Sequence, residues 1–136
     1  EYTSPEAVEA AFYQAFAECN WQGMTQLWSQ DAAASCVHPG GGLLQGYEEI
    51  QQSWQEIFSA ASRPEIDYSV IQVVSEQNLA VHLVREIIKP AQSEGDGTVV
   101  LATNVYRLLA QGWRLFSHHA SLPLVPRSTK PSRPLH

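Results

Sequence analysis

The chain has 136 residues, of which 44% are hydrophobic and 16% are charged, and its formal net charge is −6. This length and balance predict one globular domain that buries its own core without disulfides or metal, and they exclude extensive disorder. The acidic charge argues against a nucleic-acid partner, because affinity for a phosphate backbone rests on clustered Lys and Arg.

Neither a membrane span nor a signal peptide is indicated by the sequence. No stretch approaches the roughly 18 apolar residues of a transmembrane helix, and the N-terminus lacks the basic-then-apolar order of a signal peptide. Cys19 and Cys36 lack the spacing of a metal or redox motif, and we interpret both as small buried hydrophobes. We therefore expect no membrane partner and a cytoplasmic location.

Two helices are predicted at the start of the chain. Ser4 supplies a capping hydroxyl, Pro5 takes the first helical position and an acidic residue follows, so the first helix runs from Ser4 to Asn20. A second, shorter helix is predicted from Trp21 to Ser29. The apolar stripe of the first helix consists of Val8, Ala11, Phe12, Ala15, Phe16 and Cys19.

A strand, a glycine turn and a third helix follow. The strand is predicted from Ala32 to His38, and Pro39 with the three glycines after it ends the strand. The third helix is predicted from Tyr47 to Ala61, with two glutamates in its first turn. Its inward face consists of Ile50, Trp54, Ile57, Phe58 and Ala61.

The second half of the chain changes to strand-like alternation and ends in a proline-rich tail. Helices collected on one face of an antiparallel meander indicate an α+β domain over residues 1–123. We expect the basic, proline-rich segment 124–136 to be an arm or disordered, with docking to a partner subunit as the alternative. The predicted strands are Ile66–Val74, Ala80–Lys89, Thr98–Leu109 and Gly112–Ser121.

This order of elements and several local motifs resemble the nuclear transport factor 2-like superfamily, and within it the SnoaL-like branch. The resemblance implies a cone: three N-terminal helices packed on a curved antiparallel sheet of mixed strand lengths, around an apolar pocket open at one end. It also implies a homodimer. The motifs are Leu27-Trp28, Val37-His38-Pro39-Gly40-Gly41, Gly46 with Ile50, Ser53-Trp54, Ala102-Thr103-Asn104-Val105-Tyr106, Trp113 and His118-His119-Ala120-Ser121.

Strand parity assigns side chains of the last hairpin to the pocket. If the hairpin turns at Ala110-Gln111, then Asn104, Tyr106 and His119 share one face, and the two arginines of the hairpin mark the other face as the outer one. A one-residue shift of the turn would replace His119 by His118.

His38 is the first candidate catalytic residue. Ketosteroid isomerases, which the chain resembles, carry a proton-shuttling aspartate at a similar strand end. A neutral imidazole with a pKa of about 6.5 is a suitable general base at neutral pH. The alternative is a structural histidine that donates one ring nitrogen to a backbone carbonyl of the turn.

His119 is the second candidate, as an acid or base oriented by Asn104 or Glu86, or as a satisfied core histidine. Glu86 either points inward in parity with His82 or lies outside beside Arg85, and the sequence leaves this undecided. Asn is disfavoured in strand interiors, so Asn104 is expected to contact a ligand or a turn. The remaining pocket-lining candidates are Trp28, Trp54 and Tyr106.

No metal or cofactor is expected. Adjacent His118 and His119 point to opposite faces of a strand, and the chain lacks a nucleophile elbow and a phosphate loop. The leading hypothesis is a protein that binds a small, mostly apolar organic molecule, with proton transfer of the isomerase, dehydratase or cyclase kind. In it His38 moves the proton, while His119 and Asn104 stabilise the oxyanion. The alternative is a non-catalytic ligand-binding or dimeric association domain.

Overall fold

Three helices and six strands form the part of the chain that the structure, a computed structural model, describes: residues 1–60 and 62–124. Ala61 and residues 125–136 lie outside it, and with them the predicted last residue of the third helix and nearly all of the predicted tail. The helices are α1 (Pro5–Glu18), α2 (Trp21–Leu27) and α3 (Tyr47–Ala60), and the strands are β1 (Ser35–Val37), β2 (Leu43–Gln45), β3 (Glu65–Ser75), β4 (Leu79–Lys89), β5 (Thr98–Leu109) and β6 (Gly112–Ser121).

Both ends of helix α1 are capped by neighbouring residues. The Ser4 hydroxyl accepts a hydrogen bond from the Ala7 N–H at 3.1 Å, and Pro5 is the first helical residue, as predicted. The helix ends at Cys19, which has a left-handed backbone with φ of 52°. Cys19 is therefore a half-exposed cap and not the buried residue expected, whereas Cys36 is buried as expected.

The six strands form one open sheet in the order β2-β1-β6-β5-β4-β3. Strands β3 to β6 are the predicted antiparallel meander, but β1 runs parallel to β6, so the sheet is mixed. The strand predicted from Ala32 pairs only over Ser35–Val37. Strand β2 was not predicted, because three residues are too few to show an alternating pattern.

The helices cover the inner face of the sheet and enclose the core. Phe12 of α1 and Trp54 of α3 pack edge to face with their ring centroids 5.6 Å apart, and both are buried. Leu115 of β6 is also fully buried and bridges to Trp28 after α2. This arrangement is the α+β cone that the resemblance implied.

A β-bulge in β6 changes which side chains face the core. From the turn the pairing follows the predicted register as far as Tyr106 opposite Leu115, but the next pair is Val105 opposite Ser117. Phe116 is the extra residue, and the guanidinium of Arg107 lies 4.7 Å from its ring centroid. A bulge shifts the alternation by one residue, so every β6 side chain beyond it is turned over relative to the prediction.

Among the described residues, no helix is both long enough and apolar enough to cross a membrane.

Candidate functional site

A chain of four hydrogen-bonded side chains lies buried between α1 and the inner face of the sheet. The Tyr13 hydroxyl donates to Oε2 of Glu86 at 2.6 Å, and Nδ2 of Asn104 donates to the Tyr13 oxygen at 3.0 Å. Oδ1 of Asn104 is 2.6 Å from Nδ1 of His118. None of the four residues is more than 3% exposed. We call these four residues the Glu86 chain.

The sheet register explains why these groups meet. Asn104 of β5 lies directly opposite His118 of β6, beyond the bulge, and opposite His82 of β4. Glu86 is four residues from His82 on the same strand and therefore shares its inward face. Tyr13 projects from α1 onto this face and contacts both Glu86 and Asn104.

A second buried cluster lies beside the Glu86 chain. Oε2 of Glu9 accepts hydrogen bonds from Nδ1 of His82 at 2.8 Å and from the Tyr106 hydroxyl at 2.9 Å. The exposed Glu6 lies farther out, with its Oε2 3.7 Å from Nε2 of His82. We call Glu9, His82 and Tyr106 the Glu9 cluster.

His38 is half-buried at the end of β1 and has a side-chain partner. Its Nε2 is 3.0 Å from Oγ of Ser53, and that hydroxyl donates its one hydrogen to the Ile50 carbonyl at 2.6 Å. The Nε2–H of His38 is therefore the donor to Ser53, which leaves Nδ1 unprotonated in the neutral ring. The imidazole packs edge to face on Trp54 at 4.7 Å. Burial lowers the pKa of His38, which favours the neutral form.

Burial also shifts the pKa values at the two ends of the Glu86 chain. It raises the pKa of Glu86 to about 7, against the opposite effect of the hydrogen bond from Tyr13. It lowers the pKa of His118 to about 3, with further contributions from nearby His38 and His119. At neutral pH the carboxyl group of Glu86 is therefore divided between its ionised and protonated forms, while the imidazole of His118 is neutral.

A cavity of about 540 Å³ opens at the wide end of the cone, between the C-terminal ends of α1 and α3 and the β4–β5 connection. Its described lining contains no charged side chain. The apolar residues of its wall include Phe16, Pro39, Ile57, Phe58, Ile88 and Val100.

Glu86 and His38 each adjoin a residue of this apolar wall. Val100 pairs directly with Glu86, and Pro39 follows His38 in the chain. Phe58 packs against Trp54, with a ring separation of 5.5 Å. The described lining includes none of the seven predicted site residues, so the candidate site consists of an apolar cavity whose lining adjoins the titratable groups.

The prediction that His119 faces the pocket was wrong. His119 is exposed on the outer face of the sheet, where its Nε2 is 3.0 Å from Oγ of Ser35. The cause is the bulge at Phe116, which turns His118 inward in its place. The alternative register considered from the sequence placed a shift at the hairpin turn, whereas the turn itself has the predicted pairing of Leu109 with Gly112.

Comparison with known proteins agrees with this geometry. The model of the SnoaL-like domain family matches residues 6–125 of the chain.

The chain belongs to the SnoaL-like domain family.

Three proteins with similar sequences or structures show what this SnoaL-like domain resembles. A candidate calcium/calmodulin-dependent protein kinase type II association domain from Thiobacillus denitrificans is 32% identical with a TM-score of 0.86, over 90% of this chain and 98% of that one. A candidate dehydratase of the NTF2-like family from Streptomyces avermitilis is 29% identical with a TM-score of 0.78, over 87% and 92%. The F-box protein SKIP8 from Arabidopsis thaliana is 26% identical over 88% of this chain, which spans about half the length of that protein.

The other predicted site residues of the SnoaL-like domain lie inside the cone. Glu86 points inward, which decides the question that the sequence left open, and Asn104 and Tyr106 share its face as predicted. Trp54 is buried behind the cavity wall. Trp28 is buried at the opposite, narrow end, where it lines a separate cavity of about 530 Å³.

Sequence reasoning missed the contributions of Tyr13, Glu9 and Ser53. A signal for two of them was present, because Glu9 and Tyr13 lie one helical turn apart and directly beside the apolar stripe of α1. In residues 1–60 and 62–124, no group of three or more His, Cys, Asp or Glu side chains is arranged so that it could hold a metal ion. Burial raises the pKa of Cys36 to about 12, so this thiol is a packing group rather than a nucleophile.

Proposed function

We propose that this SnoaL-like domain binds a small, mostly apolar organic molecule in the cavity at the wide end of the cone and transfers protons on it without a cofactor, as an isomerase or lyase does. The observation that carries this proposal is an apolar cavity of about 540 Å³ whose lining residues Val100 and Pro39 adjoin Glu86, across the strand pair, and His38, along the chain. Cavities of this size and lining are typical of sites for small ligands.

The lining favours an uncharged ligand. Because no charged side chain lines the described cavity, an ionic group would lose its hydration without gaining a partner. Phe16 and Phe58 offer aromatic surface to a ring-shaped or aliphatic ligand. Neutral carbonyl compounds with an acidic C–H bond are therefore the substrate class that we propose.

The deeper groups supply the proposed chemistry. His38 is neutral, with a lone pair on Nδ1 that makes it a candidate base. His118 takes the role first expected of His119: in the tautomer that carries hydrogen on Nε2, this nitrogen donates to a developing oxyanion, while Asn104 holds the ring through Nδ1. A relative of 29% identity that is described as a candidate dehydratase supports this direction.

A binding screen tests the first half of the proposal. Thr98 is exposed at the cavity lining, so we expect the indole of Thr98→Trp to obstruct the cavity and abolish ligand-dependent thermal stabilisation by small hydrophobic ketones. Thr3→Trp, the same substitution at an exposed position ahead of α1 and away from the cavity lining, is the matched control and keeps the stabilisation. Equal stabilisation of both variants and the wild type would place the ligand elsewhere.

Hydrogen exchange tests the second half. For a ketone that binds, we expect the protein to accelerate exchange of the α-hydrogen with deuterated water, and we expect His38→Ala to remove the acceleration while binding remains. Binding without accelerated exchange in the wild type would contradict the catalytic proposal and favour the non-catalytic ligand-binding domain.

We also propose that the protein is a homodimer through the outer face of the sheet. Ile71, Leu83 and Leu101 are 59%, 36% and 41% exposed there, and they line a common groove of about 450 Å³. A contiguous apolar patch of this kind is typical of a protein interface. A relative named as a candidate association domain, 32% identical, supports the proposal.

Leu101→Glu tests the dimer, because it introduces one carboxylate at the centre of the apolar groove. We expect the mass measured by sedimentation equilibrium to fall from that of two chains to that of one, whereas Glu76→Gln, an exposed change in the β3–β4 turn, leaves it unchanged. A wild-type protein of single-chain mass at high concentration would contradict the proposal.

The remaining partner and compartment proposals rest on composition. A net charge of −6 gives no attraction to nucleic acid or to an anionic membrane surface, so we propose neither as a partner. Cys19 is a free, half-exposed thiol, which suits a reducing compartment, and we propose the cytoplasm.

A further inference from the structure

The Glu86 chain has a direction. A tyrosine hydroxyl carries one hydrogen, and Tyr13 gives it to Glu86, so its oxygen acts as an acceptor toward Nδ2 of Asn104. The amide oxygen of Asn104 can only accept, so Nδ1 of His118 must carry the hydrogen of the contact at 2.6 Å. With Glu86 ionised, His118 is therefore the Nδ1–H tautomer, and its Nε2 holds a lone pair.

One added proton reverses this direction. A protonated Glu86 donates to the Tyr13 oxygen, so the Tyr13 hydroxyl turns its own hydrogen toward the amide of Asn104. The amide rotates by half a turn to accept that hydrogen, and its NH₂ group then donates to Nδ1 of His118. His118 keeps a single proton, which exchanges through solvent from Nδ1 to Nε2. Each contact between Glu86, Tyr13, Asn104 and His118 is again a donor–acceptor pair, the Nε2–H of His118 becomes available to a ligand, and the only net change is one proton gained by Glu86.

We propose that Glu86 is a positioning residue, whose protonation state selects the ring nitrogen of His118 that carries hydrogen. With Glu86 ionised, Nε2 of His118 accepts a hydrogen bond or a proton; with Glu86 protonated, Nε2 donates. The role of this nitrogen toward a ligand rests on the proposed function, whereas the tautomer itself is a property of the protein alone.

The surroundings favour a switch between two neutral tautomers. Burial holds the pKa of His118 at about 3, which disfavours the imidazolium, while the pKa of Glu86 of about 7 puts its titration at neutral pH. The Glu86 chain, whose residues lie on α1, β4, β5 and β6, thus transmits the charge state of a carboxyl group across four elements without placing a cation in the core.

The other titratable groups around Glu86 are already engaged or peripheral. Glu9 of α1 is held by His82 of β4 and by the Tyr106 hydroxyl of β5. Tyr68 of β3, opposite Glu86, stacks on the Tyr13 ring at 4.1 Å. Arg85 precedes Glu86 on β4, and its side chain therefore points to the opposite face of the sheet. His38 lies close enough to His118 to lower its pKa and hydrogen-bonds to Ser53.

The substrate class that each state suits follows from the chemistry of Nε2. An unprotonated Nε2 recognises a hydroxyl group or removes an acidic C–H proton, whereas a protonated Nε2 donates to a carbonyl oxygen. The same cavity would therefore prefer alcohols or enols above the pKa of Glu86 and ketones below it.

Nitrogen-15 spectra of the ligand-free, full-length protein test the inference. We expect the His118 signals to change from the Nδ1–H pattern above pH 7 to the Nε2–H pattern below it, with the midpoint at which the ¹³C carboxyl signal of Glu86 titrates. In Tyr13→Phe, which breaks the chain but keeps the ring, and in Glu86→Gln, which cannot ionise, His118 should keep one pH-independent tautomer ratio. His119 is exposed on the same strand and lies outside the Glu86 chain, so its signals serve as the internal control and should be the same in the wild type and in both variants.

Two outcomes would overturn the inference: a His118 tautomer that stays constant while the Glu86 carboxyl titrates, or a pH-dependent tautomer that persists in Tyr13→Phe. If the variants fail to fold, the paired titrations of the wild type still decide it. Because no ligand is present, a constant tautomer leaves the proposed binding function standing. If the tautomer switches but the protein binds no ketone, the proposed function is contradicted, whereas the positioning role of Glu86 is supported.

Discussion

Replacing Glu86 by glutamine should change how the stability of the protein depends on pH. Glutamine keeps the shape of the side chain and an oxygen that accepts the Tyr13 hydroxyl hydrogen, but it cannot ionise. The folded-state pKa of about 7 lies above the usual 4.5, so the native state binds the proton more tightly than the unfolded chain does. The stabilisation is therefore complete below pH 4.5 and is lost as the pH rises through 7.

The magnitude follows from the size of the shift. At about 1.4 kcal/mol for each pKa unit, the full loss is about 3 kcal/mol, of which about 2 kcal/mol falls between about pH 5.5 and pH 8.5. His118 has the opposite sign, since its lowered pKa costs stability as the pH falls below 6.5. That contribution is present in both proteins and cancels in their difference.

Urea unfolding followed by tryptophan fluorescence measures the effect. The free energy of unfolding of Glu86→Gln, minus that of the wild type, should rise by about 2 kcal/mol from about pH 5.5 to pH 8.5. Glu76→Gln, an exposed residue in the β3–β4 turn, is the matched control and should show no such rise. A difference for Glu86→Gln that stays constant within about 0.5 kcal/mol would refute the reasoning that burial raises this pKa.

Three further changes test the placement of residues. His118→Ala should lower the free energy of unfolding by about 2 to 3 kcal/mol, because it leaves the buried amide oxygen of Asn104 without its donor, whereas His119→Ala should change it by less than about 0.5 kcal/mol in the same assay. Tyr13→Phe removes the hydrogen bond that lowers the pKa of Glu86, so the ¹³C carboxyl titration of Glu86 should move to higher pH; an unchanged midpoint would contradict this. Ser4→Ala should cost about 1 kcal/mol in thermal or urea unfolding through loss of the α1 cap, and no loss would argue against that cap.

Much of the secondary structure follows from local sequence. The Ser4-Pro5 start, the positions of β4, β5 and β6 in the chain and the turn before Gly112 depend on residues a few positions apart, and the structure confirms them. The predicted alternation of β6 holds only from Gly112 to the bulge at Phe116. Local patterns also select the inward face of β5, so the prediction that Asn104 and Tyr106 share this face is confirmed, while their contact with a ligand stays a prediction.

Tertiary structure decided the chemistry of the site. The hydrogen bond from Tyr13 to Glu86 joins residues 73 positions apart, and periodicity gives no information about which polar groups of a helix and a strand will meet. The bulge at Phe116 has no glycine to mark it, lies where β6 gains β1 as its parallel neighbour, and exchanges His119 for His118. Alternation has a period of two residues, so one inserted residue reverses every assignment beyond it, and only the pairing of whole strands determines where that residue lies.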